Sequence, residues 1–193
     1  MALWGITDAD DAKPKWLTTA QKKEVFANNS GWVVEAGSTQ TGNDNTDAQP
    51  EVLCCVGDLA TGIGAADITE IEFITTAFDK SDGGNIDVRV RFNEQVTVNT
   101  SGGTPTLTIT NDTPARNLTA TYLSGSTTNE LVFRCTIAAA NAATNADDVL
   151  VIGANPLALN SGTIKDTADG TTNATITSIE AIGTAAGSIT VAA

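Results

Sequence analysis

The chain of 193 residues contains no histidine. That removes imidazole acid–base chemistry, histidine-based catalytic triads and His-containing zinc sites. Cysteine is scarce, with Cys54, Cys55 and Cys135 only. An odd count does not build a disulfide framework, and three scattered thiols do not build a zinc site. All three are expected to be small buried hydrophobes. Aromatic residues make up 5% of the chain. No apolar run approaches the ~18 residues that a membrane span needs. No basic stretch followed by an apolar one opens the sequence, so no secretory signal is expected. A phosphate-binding loop is missing as well: Gly62-Ile63-Gly64 lacks the lysine and the helix that would cradle a phosphate.

Positive charge is also sparse. Ten basic residues stand against 23 acidic ones, for a net charge of −13. Lys13, Lys15, Lys22 and Lys23 fall within the first 23 residues, so the remainder is strongly acidic. An acidic body repels phosphate backbones, and nucleic-acid binding is not expected. The acidity is read as a device for solubility. Hydrophobic residues make up 41%, which fits neither a membrane protein nor a disordered chain.

What is present is β-pattern. Ile86, Val88, Val90 and Phe92 alternate with Asp87, Arg89 and Arg91, the mark of a half-buried antiparallel strand. Ile71 and Phe73 alternate with Glu70 and Glu72. Leu131, Phe133, Cys135 and Ile137 form another inward row, with Arg134 outward. Further short strands are predicted over residues 106–110, 117–123, 148–152, 174–179 and 188–191. Seven or more such strands over ~125 residues, punctuated by turns, is a sandwich signature.

The first third reads differently. All three tryptophans, Trp4, Trp16 and Trp32, lie in residues 1–35. Thr18-Thr19-Ala20-Gln21 reads as a capping box that starts a short helix, predicted to run to about Ala27 and to stop at Asn28-Asn29-Ser30-Gly31. Gly31-Trp32-Val33-Val34 and residues 51–56 are predicted strands, and residues 37–50 a loop. The boundary is placed at the Gly-rich stretch 57–66, giving an N-terminal attachment segment, 1–66, and a β-sandwich, 67–193.

Candidate sites are few. Asp79 with Asp82, Asp147 with Asp148, and Asp166 with Asp169 are carboxylate pairs at turns. Calcium would need six or more oxygens, whereas Asp at a turn more simply bonds nearby amides. No catalytic, cofactor-binding or metal-binding residue is assigned. Two readings of the tryptophans stand side by side. One is a small local core around Trp32. The other is a partner interface of Leu3, Trp4, Lys13, Lys15, Trp16 and Trp32, since Trp dominates interface energetics.

The run Asn85 to Val98, with Ile86-Asp87-Val88-Arg89-Val90-Arg91-Phe92-Asn93-Glu94-Gln95-Val96-Thr97-Val98, resembles the early strand of bacterial Ig-like repeats of the SwmB type. Gly103-Thr104-Pro105-Thr106-Leu107-Thr108-Ile109 resembles their second strand. Ala120-Thr121-Tyr122-Leu123-Ser124-Gly125-Ser126 through Leu131-Val132-Phe133, and Leu159-Asn160-Ser161-Gly162-Thr163-Ile164-Lys165-Asp166, resemble later parts. Ser161 stands where that pattern has Gly, residues 139–156 are longer, and the match fades after Asp166. The resemblance implies an immunoglobulin-like antiparallel β-sandwich in a surface-display setting, and no reaction.

The start, Met1-Ala2-Leu3-Trp4-Gly5-Ile6-Thr7-Asp8, with Lys13-Pro14-Lys15-Trp16-Leu17 and Gly31-Trp32-Val33, resembles the start of structural proteins of tailed marine phages, notably cyanophages. This implies a virion protein made in a host cytoplasm: a capsid decoration protein that binds the major capsid lattice and displays its sandwich outward. A trimer at a lattice symmetry axis and weak host-surface or glycan contact fit the same picture. An adhesion module binding glycan or calcium, or a neck, tail or baseplate component, are the other expectations. No enzyme activity is expected.

Overall fold

A computed structural model describes residues 13–193. The chain enters through buried Pro14 and Leu17, and Thr18 caps helix α1 (Thr19–Lys23). The Thr18 hydroxyl accepts from Gln21 N while the Gln21 side chain accepts from Thr18 N, the reciprocal pair that a capping box requires. The helix stops at Lys23, four residues earlier than predicted. Val25-Phe26-Ala27 carries two adjacent large apolar residues and buries both faces, a pattern a strand satisfies better than an exposed helix.

The strand β1 (Val25–Asn28) turns back through Asn29 and Ser30 into β2 (Gly31–Val34), which pairs in turn with β3 (Glu51–Cys55). The Asn28-Asn29-Ser30-Gly31 stop signal is thus a hairpin turn. Gly31 is obligatory there: at φ +130°, an added Cβ would lie 2.0 Å from the Cys54 carbonyl oxygen. A one-turn helix α2 (Leu59–Gly62) follows.

From there the chain is almost entirely strand. In order come β4 (Ile68–Phe73), β5 (Phe78–Asp79), β6 (Gly84–Asn99), β7 (Thr106–Asn111), β8 (Leu118–Ser124), β9 (Thr128–Ile137), β10 (Val149–Val151), β11 (Leu157–Ala158) and β12 (Thr163–Asp166). Helix α3 (Glu180–Ala185) and β13 (Ser188–Ala192) close the chain. Residues 174–179, predicted as a strand, form none. Asp67 and Thr175 make only an isolated bridge; Ala174 is buried in the core and Ile176 packs against its margin, while Ile179 stays exposed.

The fold is all-β, and the strands join into one mixed sheet ordered β3-β2-β1-β6-β9-β8-β7-β10-β13-β5, with β4 and β12 also on β6, and β11 on β7. Pairing is antiparallel except at two points, β1 with β6 and β13 with β5. The expectation of a purely antiparallel sheet is corrected there. Both exceptions bring together strands distant in sequence, where no tight turn dictates direction.

Side chains from β5 and β13 at one limit of the sheet meet those of β4 and β6 to β9 in a single core, so the sheet curls around it. Ile86, Val88, Val90, Phe92, Leu131, Phe133 and Ile137 all face this core, as the alternation requires. A second, smaller core lies under the N-terminal hairpin: Leu17, Val25, Ala27, Trp32, Val34, Leu59 and Ala60.

Candidate functional site

The outward row of β6 does not face open water. Arg91, on that row, is only 6% exposed. The N-terminal segment covers it, and three carboxylates accept hydrogen bonds from its guanidinium, with a fourth, Glu72, 3.5 Å from Nη1. Arg91 Nη1 donates to Glu70 Oε2 at 2.7 Å and Nη2 to Glu35 Oε1 at 3.1 Å, while Nε donates to Glu130. Lys23 Nζ donates to the second Glu70 oxygen, and Arg89 bridges Glu72 and Glu130. The network therefore ties α1 and the end of β2 to β4, β6 and β9.

Burial and charge act against each other here. Burial raises Glu70, but hydrogen bonds from Lys23 and Arg91 outweigh it and hold its carboxyl below the ordinary value. Burial disfavours the Arg91 charge, yet Glu130 and Glu35 leave it more firmly protonated than usual. Glu35 goes the other way. Burial first, then the like charge of Glu130, push its carboxyl up to about 7 despite the Arg91 contact. A carboxyl raised in the folded state supplies stability below its unfolded value, and that stability is lost as pH rises through the folded one. Folding stability should therefore decline between pH 5 and 8, and Glu35→Gln should flatten the decline. Urea denaturation at pH 5, 6.5 and 8 measures both; an unchanged slope in the variant would exclude Glu35 as its source.

A second feature lies on the inward row of the same strand. The row reads Ile86, Val88, Val90, Phe92, Glu94, Val96, Val98, with one carboxylate among aliphatics. Glu94 is 0% exposed, and neither carboxylate oxygen has a hydrogen-bond donor. It lines a cavity of about 260 Å³ between the β1–β2 turn, α2, β6 and the residues after β12. Asp166, itself 2% exposed, lines the same cavity and lies within hydrogen-bonding reach of Glu94. Burial, then the Asp166 carboxylate, push Glu94 up to about 9, with Asp67 and Asp169 adding to the effect. Among the described residues no three Asp, Glu or Cys side chains converge closely enough to hold a metal by themselves.

Asp79 and Asp169 behave as turn formers, and Asp148 as a buried hydrogen-bond acceptor. Asp79 Oδ1 accepts from Ser81 N and Oγ, and Asp169 accepts from the Thr171 and Thr172 amides. Asp148 accepts from Asn111 Nδ2, Asn145 N and Arg116. Among the cysteines, Cys135 is buried, Cys54 is half-buried and Cys55 is exposed. Cys54 and Cys55 correct the expectation: Cys54 only packs partly against the small core, and Cys55, the last residue of β3, is left at the surface.

The predicted interface residues separate. Leu3 and Trp4 lie outside the described residues. Trp32 is 1% exposed inside the small core, where no partner reaches it. Lys13 is half-buried, donates to the Lys22 carbonyl at 2.6 Å, and is lowered to about 8 by burial. Lys15 is exposed, and Trp16 is 63% exposed. Sequence reasoning did not single out Arg91 or Glu94. The signal for Glu94 was present, as a carboxylate on an inward β position; nothing local marks Arg91, whose cover comes from residues more than fifty positions away.

No described helix is long and apolar enough to cross a membrane. Comparison of the chain with protein-family models, curated proteins and solved structures returns no match.

Proposed function

We propose that the chain is a virion structural protein of a tailed phage, a capsid decoration protein that contacts the major capsid lattice through its first residues. In this reading the curled sheet is an immunoglobulin-like sandwich displayed outward. The observation that carries the proposal is Trp16. Its neighbour Leu17 is anchored in the small core, and Thr18 fixes the helix that follows. A large aromatic surface is thereby held outward on a rigid base, beside the exposed Lys15. Aromatic residues on pre-organised bases make effective anchors because little freedom is lost on docking. The acidic body is suited to dense display, since like-charged copies keep one another in solution, and many weak contacts on a lattice add through avidity.

The test uses particles that lack the chain, mixed with the purified full-length protein. Wild type should co-sediment in hundreds of copies per particle, on the order expected of lattice avidity. Trp16→Ala, and removal of residues 1–12, should each abolish co-sedimentation while still melting in one cooperative transition. Variants that decorate particles normally would rule out this anchor, and a few copies confined to one vertex would favour a neck or tail role.

A further inference from the structure

Glu94 poses a problem that the fold itself leaves open. A carboxylate removed from water needs donors or a counter-charge, and both Glu94 oxygens lack a donor. The charges that act on it most strongly, Asp166, Asp67 and Asp169, are acidic too. Two buried carboxylates side by side can share a proton or share a cation. The cavity discriminates between them. A shared proton needs only contact between the two groups, whereas about 260 Å³ of space opens beside this pair. That space is lined by neutral oxygen-bearing side chains, Asn28, Asn29 and Ser30 of the hairpin turn and Gln95 and Thr167 on the sheet side.

We propose that this pocket is a binding site for a divalent, oxygen-preferring cation of the calcium class, held between the Glu94 and Asp166 carboxylates. Calcium takes six to eight oxygens in flexible geometry and accepts amide, hydroxyl, carbonyl and water ligands beside carboxylates. Magnesium demands a tighter octahedron and gives up water reluctantly, so it fits a roomy pocket with two carboxylates less well. With only two charged ligands the affinity falls in the weak class, on the order of 10⁻⁴–10⁻³ M. The position gives the ion a structural task. Ala27 of β1 pairs with Glu94, and Ala168, two residues beyond Asp166, packs into the small core. A cation here fastens the N-terminal hairpin to the sheet. The inference is independent of any role on a capsid.

The experiment titrates calcium chloride into the EDTA-treated full chain, followed by calorimetry and by thermal melting, to about 10 mM so as to exceed the expected dissociation constant. Wild type should bind one ion and melt several degrees higher in calcium than in EDTA, with a smaller rise in magnesium. Glu94→Gln and Asp166→Asn should weaken binding at least tenfold. Glu94→Gln should fold in EDTA, since the amide has the shape and neutrality of the protonated carboxyl that burial favours without a cation, and its melting point in EDTA confirms that. Asp79→Asn, at the end of β5 and outside the pocket lining, should respond like wild type. The proposal is overturned if wild type neither binds nor shifts. It is equally overturned if Glu94→Gln responds as wild type does. A wild-type chain that ignores calcium but loses stability between about pH 8 and 10, a loss absent from Glu94→Gln, would show that the pair keeps a proton.

Discussion

Replacing Arg91 by alanine is expected to cost about 3–5 kcal/mol of folding stability, the range for breaking a buried ion pair from one side. The substitution leaves Glu35, Glu70 and Glu130 around an emptied position, two of them well shielded from water. Their mutual repulsion, formerly offset by one guanidinium, then acts in a medium where charge is poorly screened. Part of the loss should return at pH 4–5, as the carboxyls take up protons. Arg91→Lys is not a conservative rescue, because an ammonium lacks the planar fork that serves three carboxylates at once. Chemical denaturation at pH 7 and pH 4.5 measures both effects. A cost below about 1 kcal/mol would mean that the network behaves as an ordinary surface cluster.

Trp32→Ala is expected to cost a similar amount, about 3–5 kcal/mol, for a different reason. Trp32 is the largest fully buried side chain of the molecule's described part, and it fills the middle of the small core. Alanine leaves a void that Val25, Val34 and Leu59 cannot close without moving the hairpin. The damage should be local. Amide hydrogen exchange should accelerate across β1 to β3, while β6 and β9, buried in the larger core, keep their protection. Trp32→Phe should be milder, under about half the alanine cost, because it retains most of the volume and removes an indole N–H that has no acceptor. Uniform loss of protection across both cores would contradict this division.

The strands were legible wherever one side of the chain faces the core and the other does not. Val88 with Arg89, or Phe133 with Arg134, announces its own geometry, since a period of two belongs to a pleated strand alone. The limits of legibility are equally physical. Val25 to Ala27 pairs with strands on both sides and buries both faces, so its apolar run carries no period, and the capping box ahead of it suggested a longer helix. The two-residue strands β5 and β11 are too short to show any pattern. Among the candidate site residues, Trp32 was read in two ways, and burial decides for the core; Trp16 and Lys15 remain at the surface. Arg91 was placed on the correct side of its strand, but its surroundings depend on how residues 13–35 fold back across the sheet. That is a long-range event with no local trace. Glu94 had a local trace, an inward charge in an aliphatic row, whose meaning emerged only once Asp166 was seen beside it.

The strand β6, sixteen residues long, carries β4, β9, β12 and the hairpin along its length. At about 3.3 Å per residue it spans roughly 50 Å, and the hairpin joins its flank near the middle, through one backbone pair, the Arg91–Glu35 ion pair and, from the helix ahead of it, the Lys23–Glu70 pair with β4. Mechanical tension entering from the first residues thus arrives broadside, on a beam gripped from both edges. It does not start at a strand terminus, where ladders peel one rung at a time. Rupture under load should occur abruptly at those ionic links, with the beam and everything laced to it left intact.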